Sequence, residues 1–438
     1  MTKRITGRYE RTATGGEEVA AFVPHPLPPA NPPIALDAAL EQRLRVAEQA
    51  LVRLALAGEM VPSLDGYIYA FVRKEAVLSS QIEGTQATLV DLLTFEAQKS
   101  VEPSTPPTAD IEEVCNYLDA LGYARAQLAD PKGLPLSMRL LGETHLRLMR
   151  GVRGAEKTPG EVRRSQNWIG GSRPGNAAYV PPPPQLLAEV LGAFENYLHA
   201  DDSLPPLVRA GLLHVQFETI HPYLDGNGRL GRLLVTLLLE HWKLLTKPLL
   251  YLSLFFKRHR DDYYRRLNAV RVDGDWEGWL DFFLDGVATI ADEAVASARE
   301  LFALVASDRT RVLAQEGMSI MALKLFELLP SHPVVTVASA MRLVNTTKPT
   351  AGRAIELLVA GGVLVETTGK KRDRSFVYRA YLDRLRTGTE IDEQGQRRER
   401  VRASLRIQRD TLPLMDRALA AADRMMDAHE ETYRKLAK

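Results

Sequence analysis

HPYLDGNGRLGRLL, residues 221–234, gathers a histidine, an acid, an asparagine, three glycines and two arginines. Glycines at 226, 228 and 231 permit positive φ and leave backbone amides uncovered, and the helix expected to begin near Arg229 points its positive end at the same place. Arg229 and Arg232 lie one turn apart on that helix, so both guanidiniums reach a polyphosphate from neighbouring positions. Asp225 is placed to share a hard cation such as Mg²⁺ with phosphate oxygens. Asn227 offers its side-chain amide to a phosphate oxygen. His221 is the side chain here that takes a proton near neutrality, and Pro222 stiffens its approach, which makes it the candidate general base. Base, cation ligand and anion cradle in one loop point to phosphoryl or nucleotidyl transfer to a hydroxyl, where catalysis is positioning and charge stabilisation. A bare DGNG would merely reverse the chain; the fixed spacing of His, Asp, Asn and two Arg argues for chemistry.

Outward from this loop the pattern is helical. Upstream, amphipathic periodicity predicts helices from about Gln185 to Ala200 and Pro205 to Thr219. Downstream it predicts helices over Arg229 to Leu245 and Asp261 to Val270, then a long segment from Trp276. Residues 162–184, RRSQNWIGGSRPGNAAYVPPPP with flanks, read as an irregular β-hairpin around a glycine-rich turn. Further helices are expected in a region 37–130, including one over 67–84, and around Ser137 to Arg150 within a core of 131–305. Residues 1–36 contain PHPLPPANPP and read as an extended arm. Residues 310–385 read as two short helices, a tight turn and a basic hairpin, the pattern of a winged helix-turn-helix. A charged helical tail fills 386–438. The fold class expected is mainly α.

With 438 residues the chain exceeds what one core holds, so two or three domains are expected. Lys plus Arg number 56 against 55 Asp plus Glu, so no global field draws the chain to nucleic acid or membrane. The single cysteine, Cys115, reads as a reduced packing thiol. The polar N-terminus lacks the apolar stretch of a secretory signal, and LLVTLLLEHWKLL is too short and too charged to span a membrane. A cytoplasmic location is the expectation. P-loop and HExxH patterns are lacking, and His214, Glu218 and His241 read as packing residues.

Residues His221 to Arg232 resemble the Fic signature HPFx(D/E)GN(G/K)RxxR, departing only at Tyr223, which keeps the aromatic character. The resemblance implies a helical domain with a β-hairpin flap that transfers AMP from ATP to a Ser, Thr or Tyr hydroxyl of a protein, self-modification included. His221 would be the base and Asp225 the Mg²⁺ ligand. The ATP site would run over Gly226, Asn227, Gly228, Arg229, Leu230, Gly231 and Arg232, with Gly226 to Arg229 on the α- and β-phosphates and Arg232 on the γ-phosphate. Glycine rather than lysine at 228 favours AMP transfer over phosphorylation. Upstream, SSQIEGT fits the family's inhibitory pattern (S/T)xxxE(G/N) through Ser79, Glu83 and Gly84, which implies that Glu83 pairs with Arg232 and blocks productive ATP. Asn167, Trp168, Ile169 and Gly170 would border the nucleotide and form the flap that aligns the target by strand-like pairing. Tyr263 or Tyr264 would line the base, or pack in the core; the role of Arg271 stays open. Homodimers occur in the family.

Two other readings stand beside this one. The wing, with Lys370, Lys371 and Arg372, suits phosphate contacts and equally a solvated hairpin or a protein-docking module; on the first of these the chain is alternatively a nucleotide-sensing, DNA-binding regulator. The same loop would also suit removal of AMP from a modified protein, with Glu83 positioning water.

Overall fold

A computed structural model describes residues 4–59, 64–99, 105–369 and 374–391. The chain opens not with an extended arm but with a β-hairpin, β1 (Gly7–Thr14) and β2 (Glu17–Pro24), paired antiparallel from Gly7 opposite Pro24 to Thr14 opposite Glu17. Gly15 and Gly16 both take positive φ, 58° and 81°, as a two-residue hairpin turn requires. The Phe22 amide donates to the Val180 carbonyl at 2.9 Å, so β2 braces the segment expected to be the flap. The proline-rich stretch behind it is also fastened. Arg4 donates to the Pro32 and Pro33 carbonyls and forks onto Glu277 at 2.8 and 2.7 Å. The alternation that makes β2 a strand is short, and the turn residues around it mask it in the sequence.

The main body is helical: α1 (Ala38–Glu59), α2 (Leu64–Ile82), α3 (Leu89–Lys99), α4 (Ala109–Ala129), α5 (Met138–Leu148), α6 (Leu187–His199), α7 (Pro206–Ile220), α8 (Asn227–His241), α9 (Ser253–Arg258), α10 (Arg260–Asp273) and α11 (Trp276–Ala314). Sequence punctuation explains the starts. The Thr108 and Ser137 hydroxyls accept the Ile111 and Leu140 amides, and the Asp275 carboxylate accepts that of Gly278. Helices α7 and α8 are buried on nearly every face and pack on each other at the centre, with α4, α5 and α11 around them. α1 lies along α11, and α2 lies on α4 and α9. Residues 162–184 hold less β-structure than expected: one bridge, Ile169 with Tyr179, and a 3₁₀ turn at Pro174–Asn176. Four consecutive prolines, 181–184, have no amide to give a ladder.

The C-terminal module comprises α12 (Ile320–Leu328), β3 (Val334–Thr336), α13 (Val337–Leu343), α14 (Lys348–Ala360), β4 (Leu364–Glu366), β5 (Ser375–Tyr378) and α15 (Arg379–Leu385). Its antiparallel sheet has the order β3-β5-β4. Asn345 takes a left-handed φ of 49° in the turn between α13 and α14. The break expected between residues 305 and 310 is absent, because α11 runs through it with Leu301 and Val312 buried on its inner face. α15 packs on α11 and β3 on α3, so residues up to Thr389 form one unit. Lys370, Lys371, Arg372 and the charged tail from residue 392 lie outside the described residues. Among the described residues no helix is long and apolar enough to cross a membrane.

Candidate active site

The loop between α7 and α8 is held in shape by its own side chains. His221 ends α7 in the left-handed conformation, φ 50° and ψ 62°, with its amide donating to the Phe217 carbonyl at 2.9 Å. A β-carbon strains that region, so the surroundings must hold it there. Arg163 does so: its Nε donates to the His221 carbonyl at 3.0 Å, its Nη2 to the Pro182 carbonyl at 2.6 Å, and its own amide to the Pro222 carbonyl. Burial, then the Arg163 charge, pulls the half-buried His221 imidazole down to about 4, so it stays neutral and ready to accept a proton.

Asn227 is spent on the loop rather than on a ligand. Its Oδ1 accepts the Tyr223 amide and its Nδ2 donates to the Tyr223 carbonyl, at 2.9 and 2.7 Å. The Asn167 amide reaches the same carbonyl at 3.2 Å. The Tyr223 ring stacks on His145, with centroids 3.9 Å apart. His145 accepts the Gly160 amide at Nδ1, which fixes the tautomer that donates from Nε2 to the Asp225 carbonyl. Burial lowers its pKa to about 4, in keeping with a neutral ring.

Gly226 caps α8 with φ 75° and, among the described residues, without a side-chain cap hydrogen bond, a helix end of the kind that suits an anion. Of the three glycines only this one needs positive φ. A β-carbon on Gly228 would stand 2.3 Å from Glu83 Oε1, and one on Gly231 2.5 Å from Glu218 Oε1, so these two serve close approach. Gly226→Ala would meet Met149 Sδ at 2.6 Å as well as the backbone strain. It should cost about 2 kcal/mol, read from the urea midpoint; a cost below about 0.5 kcal/mol would show that the loop relaxes freely.

The charges around the cradle are paired. Asp225 accepts the Gly226 amide at Oδ1 and the Lys157 ammonium at Oδ2, at 2.8 and 2.9 Å. Burial raises its pKa, but Lys157 and the amide outweigh that and the net direction is down. Arg229, 1% exposed, points inward to Glu113 at 3.3 Å and to Met149 Sδ. Arg232, 3% exposed, donates from Nε to Ser79 Oγ at 2.9 Å and from Nη2 to the Ser79 carbonyl and to Glu83 Oε1, at 2.9 and 2.8 Å. Burial opposes the Glu83 charge, yet Arg232 holds the carboxyl below its ordinary pKa. Gly84 follows with φ 101° and turns the chain away. Beside them Glu218 is pushed up to about 7 by burial, and its Oε1 has no hydrogen-bond partner among the described residues.

Not every expected residue faces this site. Leu230 is wholly buried in the core, and Tyr263 is buried with its hydroxyl on His214 Nε2 at 2.8 Å, so both side chains serve packing. Tyr264 is 43% exposed and is the accessible one of the two tyrosines. Trp168 and Ile169 are exposed in the segment expected to be the flap, and Gly170 turns the chain there with φ 68°. The Arg271 guanidinium lies 3.6 Å from the Tyr179 ring centroid. Burial lifts the Cys115 thiol to about 11, which keeps it unreactive. Sequence reading missed Lys157, Arg163, His145 and Glu113, which lie 58 or more residues from the partners they serve in the loop and in α8. No local pattern marks them. No cluster of three or more His, Cys, Asp or Glu side chains that could hold a metal occurs among the described residues, and the Asp225 carboxylate is engaged by Lys157 and the Gly226 amide.

Similarity to known proteins falls on the same residues. Residues 41–126 match the model of the Fic/DOC family N-terminal region, and residues 135–239 match that of the Fic/DOC family. A protein adenylyltransferase Fic of Culex quinquefasciatus is 31% identical over 208 residues, covering 47% of this chain and 37% of that protein. One of Drosophila grimshawi is 33% identical over 207 residues, covering 47% and 39%. The chain thus spans under two fifths of the length of these curated relatives. The crystal structure of a Fic family protein from Desulfovibrio desulfuricans G20 shares the fold, with a TM-score of 0.50 at 19% identity over 79% of this chain and 98% of that one. The chain therefore carries a Fic/DOC family domain, preceded by the N-terminal region that accompanies it in the family.

Proposed function

We propose that the chain transfers AMP from ATP to a Ser, Thr or Tyr hydroxyl of a protein, and that Glu83 holds this activity in check. The observation that carries the reading is the place of the Glu83 carboxylate. It lies against the first turn of α8 and 2.8 Å from Arg232, where the helix end and a buried guanidinium would otherwise receive an anionic phosphate. Once Glu83 withdraws, Arg232 is free for the γ-phosphate and the first-turn amides of α8 for the α- and β-phosphates. Neutral His221 takes the proton of the target hydroxyl, the oxygen bonds to the α-phosphorus, and pyrophosphate leaves. The single carboxylate of Asp225 beside an anion cradle fits Mg²⁺, which prefers one or two carboxylates together with phosphate oxygens. Asp225 would exchange its Lys157 contact for the ion, whose charge would neutralise the phosphates. Adenylyltransferase activity in the relatives' names supports the same chemistry.

The C-terminal module we read as a winged helix. Its order of helix, strand, two helices and two strands, with β5 between β3 and β4, supports this.

The test compares ATP labelled at the α- or γ-phosphate with wild type and Glu83→Gly, reading self-modification and modification of a lysate. Glu83→Gly should retain α-label about 10- to 100-fold above wild type, the worth of a charge-assisted hydrogen bond, and no γ-label. Retained γ-label would mean phosphorylation and overturn the reading.

A further inference from the structure

We propose that Gln81 is a positioning residue for the nucleotide site: it seats Glu83 on Arg232 and ties that seat to the end of the C-terminal module. The inference rests on the reading of Glu83 given above. Gln81 stands in the last turn of α2, two residues before Glu83, and its amide is engaged at both ends. Nε2 donates to the Ala87 and Thr389 carbonyls, each at 2.9 Å, and Oε1 accepts from Lys257 Nζ at 2.7 Å. Lys257, on α9, also donates to the Gly388 carbonyl at 3.2 Å. Three segments distant in sequence thus meet on one side chain: the turn after α2, the helix α9 and the chain that leaves α15.

The geometry makes this junction a control on Glu83. The bond from Gln81 to Ala87 closes residues 81–87 into a loop that contains Glu83, Gly84 and Thr85. Within it the Glu83 and Gly84 amides donate back to the Ser80 and Gln81 carbonyls, and the Thr85 hydroxyl donates to Glu113 at 2.7 Å. Glu83 cannot leave Arg232 by a backbone movement unless this loop opens. On the far side Thr389 is buried, and its amide and hydroxyl both donate to the Arg386 carbonyl, so its position follows α15, which packs on α11. Gly388, at φ 86°, lies so close to α9 that a β-carbon there would stand 2.7 Å from Leu254 Cδ1. A shift of the α15 end would therefore pull on Gln81 and bias the occupancy of the Glu83–Arg232 pair, which is a population shift between blocked and open nucleotide sites.

The experiment uses the full chain with Gln81→Leu and Lys257→Ala, alone and combined with Glu83→Gly, and reads α-label incorporation. Gln81→Leu should raise label about tenfold over wild type, the worth of about one net hydrogen bond. It should add nothing in the Glu83→Gly background, because the residue acts through Glu83. A merely structural role would lower incorporation in both backgrounds alike. Amide hydrogen exchange at residues 79–85 gives a reading that needs no catalysis: it should quicken about tenfold in Gln81→Leu and Lys257→Ala, with α7 and α8 unchanged. Label at the wild-type level in Gln81→Leu while Glu83→Gly is active, or exchange at 79–85 at the wild-type rate, overturns the proposal. A silent Glu83→Gly would sink the reading of Glu83 instead, and the exchange rates would then decide the link to Thr389.

Discussion

His221→Ala, in the Glu83→Gly background, should lower AMP incorporation about 10³-fold, the middle of the range for removal of a general base. The imidazole ends α7 at the mouth of the anion cradle, and burial with the Arg163 charge holds its pKa down to about 4. A base works in its neutral form, so the lowered pKa has a definite sign. kcat/KM should stay level as pH falls from 8 to about 5 and drop only near 4, rather than halving near the ordinary histidine value of about 6.5. ATP binding, read by calorimetry, should be unchanged in the variant. Activity within tenfold of the parent would remove His221 from the proton transfer, and an acid limb near 6.5 would show that the ring is better solvated than its packing indicates.

Glu113→Ala should destabilise the chain by about 3–5 kcal/mol, because it strands the Arg229 guanidinium in the core. Arg229 is 1% exposed, with Glu113 at 3.3 Å as its ion-pair partner, and its other side-chain hydrogen bond among the described residues goes to the weak acceptor Met149 Sδ. Glu113 also receives the Thr85 hydroxyl, so α4, the turn after α2 and the start of α8 are joined at one carboxylate. Such a loss is a large share of a domain's ordinary net stability and would show as a lowered urea midpoint. Replacing both partners, Glu113→Leu with Arg229→Met, should recover most of it, since a buried pair repays little more than its own desolvation. A loss under about 1 kcal/mol in Glu113→Ala would mean that Arg229 finds water or another acceptor.

The candidate site was legible in the sequence because the residues that compose it are local. His221, Asp225, Gly226 and Arg232 fall within one helix end, one turn and the next helix start, and their spacing alone sets which backbone amides and charges share a face. Helix positions were legible for the same reason: periodicity and caps such as Thr108, Ser137 and Asp275 act within a few residues. The tertiary structure decided what depends on distant partners. It turned Asn227 onto Tyr223, buried Leu230 and Tyr263, and carried α11 through the expected domain break. It also folded the N-terminal arm into a hairpin against Val180. Lys157, Arg163 and Glu113 acquire their roles only when separate segments close on the loop, and local pattern carries no record of contacts made across such lengths of chain. The sequence by itself thus determined which groups could do chemistry here. Packing determined which of them turn into the core and which stay accessible beside α8, because burial and long-range pairing, not spacing, choose where each side chain spends its hydrogen bonds.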